Sequence, residues 1–118
     1  MNNREYNSVI KNKISDEIKR KICTKISKRL INRFDRSYII GSFLKKNWDY
    51  TKSDIDLIII DTSFEHYPLT ENMKIVKSSL RDLDFQFDIY LYTWNQFESR
   101  LEVDTIFKNN IIRGLMLS

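Results

Sequence analysis

The chain has little of the residues that mark secreted, fibrous or membrane-spanning proteins. It holds one cysteine, Cys23, in 118 residues, so it cannot form an internal disulfide framework, and we expect a cytoplasmic protein with Cys23 as a small core residue. Two glycines and one proline leave little sequence for flexible linkers. The longest purely apolar run, Leu57 to Ile60, is too short to cross a membrane. No apolar block follows the N-terminal charges, so we expect no signal peptide.

The residues that are present suit one folded domain. Hydrophobic residues make up 42% of the chain and aromatic residues 13%, which excludes an intrinsically disordered protein. A chain of this length buries roughly two-thirds of its unfolded surface. We predict a polar lead-in over residues 1–13 and a single domain over residues 14–118.

The net charge of +4 is divided unevenly along the chain. Residues 1–36 carry eleven Lys and Arg against four Asp and Glu, giving +7, and residues 37–118 carry nine against twelve, giving −3. The basic segment could meet an acidic partner or nucleic acid, or form the solvated face of a helix. Nucleic acid is the least favoured of these partners, because no aromatic residue is interleaved with the lysines of residues 15–33.

Periodicity predicts the element order α-β-α-β-α-β-α-α-β. We predict a basic helix over 15–33, because acidic residues stand at its start and an apolar residue recurs at every fourth position. These apolar residues are Ile14, Ile18, Ile22, Ile26 and Leu30. Apolar and alternating runs predict strands over 36–40, 53–60 and 85–92, with a short helix after Gly41. Thr70 is expected to cap a helix over 70–82.

The C-terminal quarter reads as two short helices and a last strand. Thr93 and Gln96 match a capping box, Asp104 can cap a second helix that ends at Gly114, and residues 115–117 form the strand. The whole pattern predicts an α/β or α+β fold, in which helices flank a small mixed β-sheet.

A two-part motif lies at the centre of the chain. A strand ends in Ile40-Gly41-Ser42, and Ser53-Asp54-Ile55-Asp56 begins the next strand. Alternate residues of a strand face the same side, so Asp54 and Asp56 point together. Neighbouring carboxylates are hard to ionise together without a cation, and oxygen clusters suit Mg²⁺ or Mn²⁺. The Gly-Ser turn can bring backbone N–H groups close to a phosphate.

A third carboxylate, Asp88, lies in the middle of the aromatic strand over 85–92. A charge between Phe87 and Ile89 is unfavourable unless it is paired or metal-bound, although Asp88 could also lie on a solvated face with Gln86 and Tyr90. We favour the first interpretation, in which Asp54, Asp56 and Asp88 bind two divalent ions that clamp a nucleoside triphosphate. Asp88 is then the candidate general base.

The predicted nucleotide-binding residues lie in and around the Gly-Ser turn. Ser42 would bond a phosphate oxygen, and a lysine between the two halves of the motif would neutralise phosphate charge. The alternative is that these lysines are ordinary solvated loop residues without a role in binding. The complete predicted set is Gly41, Ser42, Lys45, Lys46 and Ser53.

The combination of these motifs resembles the DNA polymerase β-like nucleotidyltransferase superfamily, and within it the minimal nucleotidyltransferase group. The matching stretches are Ile40-Gly41-Ser42, Ser53-Asp54-Ile55-Asp56-Leu57 and Phe87-Asp88-Ile89, and the ending from Phe107 to Leu117 is also similar. Two features depart from that group. A second glycine is common shortly after the Gly-Ser pair in that group, whereas this chain has Phe43-Leu44-Lys45-Lys46 there. The spacer before Asp54 is also one residue longer than is usual in that group.

The resemblance implies a polymerase β-like fold and transfer of AMP from ATP, with Mg²⁺, to a tyrosine of a HEPN-domain toxin, so that the protein acts as an antitoxin. The short chain leaves no room for an acceptor-recognising domain, so a second protein would present the acceptor. Two alternatives stay open. One is a binding module that silences its partner by occlusion. The other is a nucleotidyltransferase that modifies a small molecule, such as an aminoglycoside, at a site that a homodimer completes.

Overall fold

Four strands form one mixed sheet in the computed structural model, which describes residues 16–49 and 51–118. The strands are β1 (Arg36–Ile40), β2 (Ile55–Ile60), β3 (Phe87–Tyr92) and β4 (Leu115–Met116), in the spatial order β3-β2-β1-β4. β1 runs antiparallel to β2 and β4, whereas β2 and β3 are parallel. The sheet confirms the predicted α+β class and its mixed strand directions. The predicted lead-in over 1–13 lies outside the described residues.

Four α-helices and two 3₁₀-helices complete the described chain. The α-helices are α1 (Glu17–Leu30), α2 (Leu69–Leu80), α3 (Trp94–Val103) and α4 (Thr105–Arg113), and the 3₁₀-helices are Gly41–Leu44 and Thr62–Glu65. None of the helices in this described part combines the length and the apolar character that crossing a bilayer requires.

Side-chain caps fix most of the helix starts that the sequence predicts. Asp16 accepts from two backbone N–H groups at the start of α1, Asp104 caps α4, and Thr93 and Gln96 form the predicted capping box of α3. The prediction that Thr70 caps a helix was wrong, because Pro68 is the N-cap residue and α2 already begins at Leu69. Proline has a fixed φ and no N–H, so the residue just outside a helix suits it.

α1 and α2 pack on one face of the sheet and form the larger core. Leu57 and Ile59 of β2 are fully buried there, and so is Cys23 of α1, as predicted. The predicted inner position of Ile18 was wrong, because its side chain is 64% exposed. In a helix of 3.6 residues per turn, side chains spaced four residues apart are displaced around the helix axis by about 40° per step. A stripe of such residues therefore winds away from the face that contacts the sheet. Lys19 takes the inner position instead.

α3 and α4 cover only part of the opposite face. Tyr38, Ile58 and Ile60 of the sheet meet Phe97 and Phe107 of these helices in a second, smaller core. The other end of that face, at the start of β2 and β3, stays open to solvent, and it carries the predicted carboxylates.

Candidate functional site

Asp56 and Asp88 lie directly opposite each other on the parallel strands β2 and β3. Asp56 is half-buried and Asp88 is exposed. Asp54 is exposed and immediately precedes β2. Burial raises the pKa of Asp56 above its ordinary value, and the negative charges of Asp88 and then Asp54 raise it further. The structure therefore brings the three predicted carboxylates within electrostatic reach of one another.

The donor chemistry of these residues fits a divalent ion. Carboxylate oxygens are the ligands that Mg²⁺ and Mn²⁺ prefer. A bound cation would offset both the burial of the Asp56 carboxylate and the neighbouring charges of Asp88 and Asp54, which together raise the pKa of Asp56. As the side chains stand, no three acidic, histidine or cysteine residues within 16–49 and 51–118 are grouped closely enough to hold a metal ion. Asp54, Asp56 and Asp88 are the residues that would have to close around it.

Gly41 packs against the same carboxylate. Its φ of +77° lies in the left-handed region, and a Cβ at this position would stand 2.6 Å from Oδ2 of Asp56. The backbone conformation strongly favours glycine here, and any Cβ would force the Asp56 carboxylate to shift. The register pairs Ile40 with Asp56, so the Gly-Ser turn begins beside the carboxylate pair, and Ser42 is exposed at its surface.

A buried lysine holds the loop that joins the two halves of the motif. The Lys19 ammonium donates to the backbone oxygen of Lys45 at 2.6 Å. The same ammonium lies over the rings of Phe43 and Trp48, at 5.4 and 5.7 Å from their centroids. The Trp48 indole N–H in turn donates to the backbone oxygen of Asp54 at 3.2 Å. This chain of contacts connects α1 to both ends of the loop over 41–54.

Sequence reasoning missed Lys19 because a lysine in a basic helix was assigned to the solvated face. A signal was present, since Lys19, Ile22, Cys23 and Ile26 have the i, i+3, i+4, i+7 spacing of one helix face.

The other predicted nucleotide-binding residues lie along this loop. Lys45 and Lys46 are exposed. Ser53 belongs to a tight turn, in which its hydroxyl oxygen accepts from the Asp49 N–H at 3.3 Å and its own N–H donates to the Asp49 oxygen at 2.7 Å. All five predicted residues lie on the connection between β1 and β2, and Ser53 directly precedes Asp54.

A pocket of about 330 Å³ opens next to Asp56 and Gly41, a volume within the range of small-molecule sites. β3 contributes Tyr90 and Tyr92 to it, and α3 contributes Arg100. The Arg100 guanidinium donates to the Tyr92 hydroxyl at 2.7 Å and pairs with Asp104 at 3.4 Å. It also lies 4.7 Å from the ring centroid of Phe107, so its position is fixed from several sides. The motifs gave no indication of this pocket.

The Tyr90 hydroxyl donates to Oδ2 of Asp88 at 2.8 Å. This hydrogen bond, together with the nearby negative charges, raises the pKa of Tyr90 to about 12, so the phenol stays protonated at neutral pH. Asp88 thus lies on an exposed face together with Tyr90, as expected if it were simply a solvated residue. It also faces Asp56 on the neighbouring strand, as the predicted metal site requires.

Comparison of the chain with protein-family models, with curated proteins and with solved structures finds no significant match in any of the three.

Proposed function

We propose that this protein is a metal-dependent nucleotidyltransferase that moves a nucleoside monophosphate, AMP from ATP, to an acceptor hydroxyl. One observation carries the proposal: Asp56 and Asp88 face each other on paired residues of neighbouring strands, with Gly41 packed against Asp56. This arrangement joins all parts of the sequence motif at one end of the sheet. A polymerase β-like fold and a cytoplasmic location are part of the same proposal.

Each residue has a role that follows from its position. Asp54 and Asp56 would hold the divalent ion that accompanies the triphosphate, and that ion, when bound, would offset phosphate charge and stabilise the leaving group. The turn at Gly41 and Ser42 offers backbone N–H groups and a hydroxyl to the phosphates. Lys45 and Lys46 supply positive charge nearby.

The transfer itself forms one bond and breaks another. The acceptor hydroxyl oxygen attacks the α-phosphorus, the bond from that phosphorus to the β-phosphate oxygen breaks, and pyrophosphate leaves. Asp88 accepts the hydroxyl proton, because its carboxylate is exposed beside Asp56 and already accepts one phenolic hydrogen bond.

A tyrosine of a HEPN-type toxin is the acceptor that we propose, and silencing that toxin is the biological role. The resemblance to minimal nucleotidyltransferases supports this acceptor. The surface around the pocket supports a protein partner as well. Ile106 of the pocket lining is 75% exposed, and Val103, which lines an adjoining cavity that shares Arg100 with the pocket, is 83% exposed. Large exposed apolar side chains of this kind are common at protein contacts.

Intact-mass spectrometry of a HEPN-type partner, incubated with this protein, ATP and Mg²⁺, tests the proposal. The expected result is a gain of one or more AMP units on the partner, lost with Asp56→Asn or Asp88→Asn and kept with Asp84→Asn, a matched change at an exposed acid before β3. If the partner gains no mass while Asp56→Asn still neutralises the toxin in cells, the protein works by occlusion and the enzymatic proposal is wrong.

A further inference from the structure

Tyr90 is placed as an acceptor hydroxyl would be placed. Its phenol oxygen lies 2.8 Å from the carboxylate of Asp88, within the distance over which a general base takes a proton directly. The same side chain lines the pocket that begins at Asp56 and Gly41. Its surface is 42% exposed, so a nucleotide can approach it from solvent.

The neighbouring Tyr92 shows that this placement is not a general property of β3. Tyr92 lies on the same face, two residues further along the strand, and its hydroxyl accepts from Arg100 at 2.7 Å. Its ring packs on Phe107, with the two centroids 5.4 Å apart. Tyr92 is therefore held by a cation and an aromatic ring, whereas the Tyr90 hydroxyl is held by the carboxylate of Asp88.

We propose that Tyr90 is a self-modification site, at which the protein attaches a nucleoside monophosphate to its own phenol when no other acceptor occupies the pocket. This inference rests on the proposed nucleotidyltransferase function. The co-substrate is a nucleoside triphosphate. The Tyr90 oxygen forms a bond to the α-phosphorus, the bond to the β-phosphate oxygen breaks, pyrophosphate leaves, and the phenolic proton passes to Asp88.

The geometry points to reaction within one molecule. Tyr90 and Asp88 are two residues apart on one strand, so the acceptor and its base come from the same chain. The fraction modified per unit time is then independent of protein concentration. A modified Tyr90 would also fill the pocket next to Asp56 with a covalent nucleotide and so exclude an external acceptor.

The test incubates the purified chain with ATP and Mg²⁺ and measures two quantities in one reaction: pyrophosphate release, and the mass of the peptide that holds Tyr90 and Tyr92. A tyrosine-containing peptide is added to a parallel reaction as an external acceptor. Tyr90→Phe is compared with Tyr67→Phe, because Tyr67 is 53% exposed and lies before α2, outside the pocket lining.

Three results are distinguishable. AMP on Tyr90, lost in Tyr90→Phe and kept in Tyr67→Phe, supports the inference. Pyrophosphate release in the reaction without the peptide, with Tyr90 unmodified there or with AMP on another residue, overturns the inference and leaves the proposed function standing. Modification of the added peptide has the same meaning if Tyr90 also stays unmodified when the peptide is left out. No pyrophosphate and no modified product of either kind overturns the inference, and the reaction with a HEPN-type partner described above then decides the proposed function separately.

Discussion

Asp56 and Asp88 occupy paired positions on two parallel strands, and the pKa of Asp56 is raised by burial and then by the charge of Asp88. The folded protein therefore favours the neutral form of Asp56 more than the unfolded chain does. Ionising this residue lowers stability as pH rises from the ordinary pKa of 3.8 through the raised folded value.

We expect Asp56→Asn to be more stable than the unmodified chain at neutral pH, by a few degrees in melting temperature. Its advantage should shrink as pH falls through the raised pKa of Asp56, because both proteins then carry a neutral side chain there. Melting temperatures across that pH range check this expectation, with Asp84→Asn as the control. A destabilised variant at neutral pH would show that Asp56 is instead held by a favourable charge interaction.

Gly41 should be intolerant of alanine for two separable reasons. The left-handed φ of +77° costs a residue with a Cβ about 1–2 kcal/mol, and the contact with Oδ2 of Asp56 adds to that. We expect Gly41→Ala to lose less stability in an Asp56→Ala background, where that oxygen is absent. Urea unfolding of the four proteins in this double-mutant cycle measures the coupling, expected at about 0.5–3 kcal/mol. If the two substitutions change the free energy of unfolding additively, the Asp56 side chain moves away from a Cβ at position 41 without an energetic penalty.

Lys19 should stabilise the loop over 41–54. Lys19→Met keeps the apolar stem but loses the hydrogen bond to Lys45 and the cation–π contacts with Phe43 and Trp48. We expect the free energy of unfolding to fall by about 1–3 kcal/mol. Amide hydrogen exchange should become faster in that loop. Lys21→Met is the control, since the Lys21 side chain is 73% exposed on the same helix. Unchanged exchange in the loop would show that other contacts hold it.

Cys23 should be inert in the folded protein. It is fully buried, and burial raises the pKa of its thiol to about 12, so at mildly alkaline pH the reactive thiolate is scarce as well as inaccessible. Alkylation by iodoacetamide is expected to proceed at the rate of unfolding and to accelerate sharply in urea. Fast alkylation under native conditions would mean that α1 separates readily from the core.

Most of the fold follows from local signals in the sequence. Asp16, Thr93 and Asp104 are capping residues whose oxygens satisfy helix N–H groups within three residues, so sequence spacing suffices to predict them. The strands are equally local, because Leu57 and Ile59 face the core as alternation requires. Alternation also predicts that Asp54 and Asp56 share a face. Their partnership with Asp88 depends in addition on β2 and β3 being parallel neighbours with Asp56 paired to Asp88, which local signals do not determine.

The misplaced residues depend on contacts between distant segments. Lys19 is buried because Phe43, Lys45 and Trp48 surround it from a loop more than twenty residues away, and its charge made the solvated face the natural assignment. The Arg100 pocket likewise needs β3, α3 and α4 together. Periodicity within α1 is consistent with an inner position for Lys19, but it carries no information on which distant residues surround the ammonium or line the pocket.

Binding of ATP in the presence of Mg²⁺, measured by isothermal titration calorimetry, tests the proposed site most directly. The expected result is binding that EDTA abolishes and that Asp56→Asn weakens by about tenfold or more, equivalent to about 1.4 kcal/mol, while Asp84→Asn leaves it unchanged. ATP binding that is absent, or that is equally tight in EDTA and in Asp56→Asn, would contradict a metal–nucleotide site at the paired carboxylates of β2 and β3.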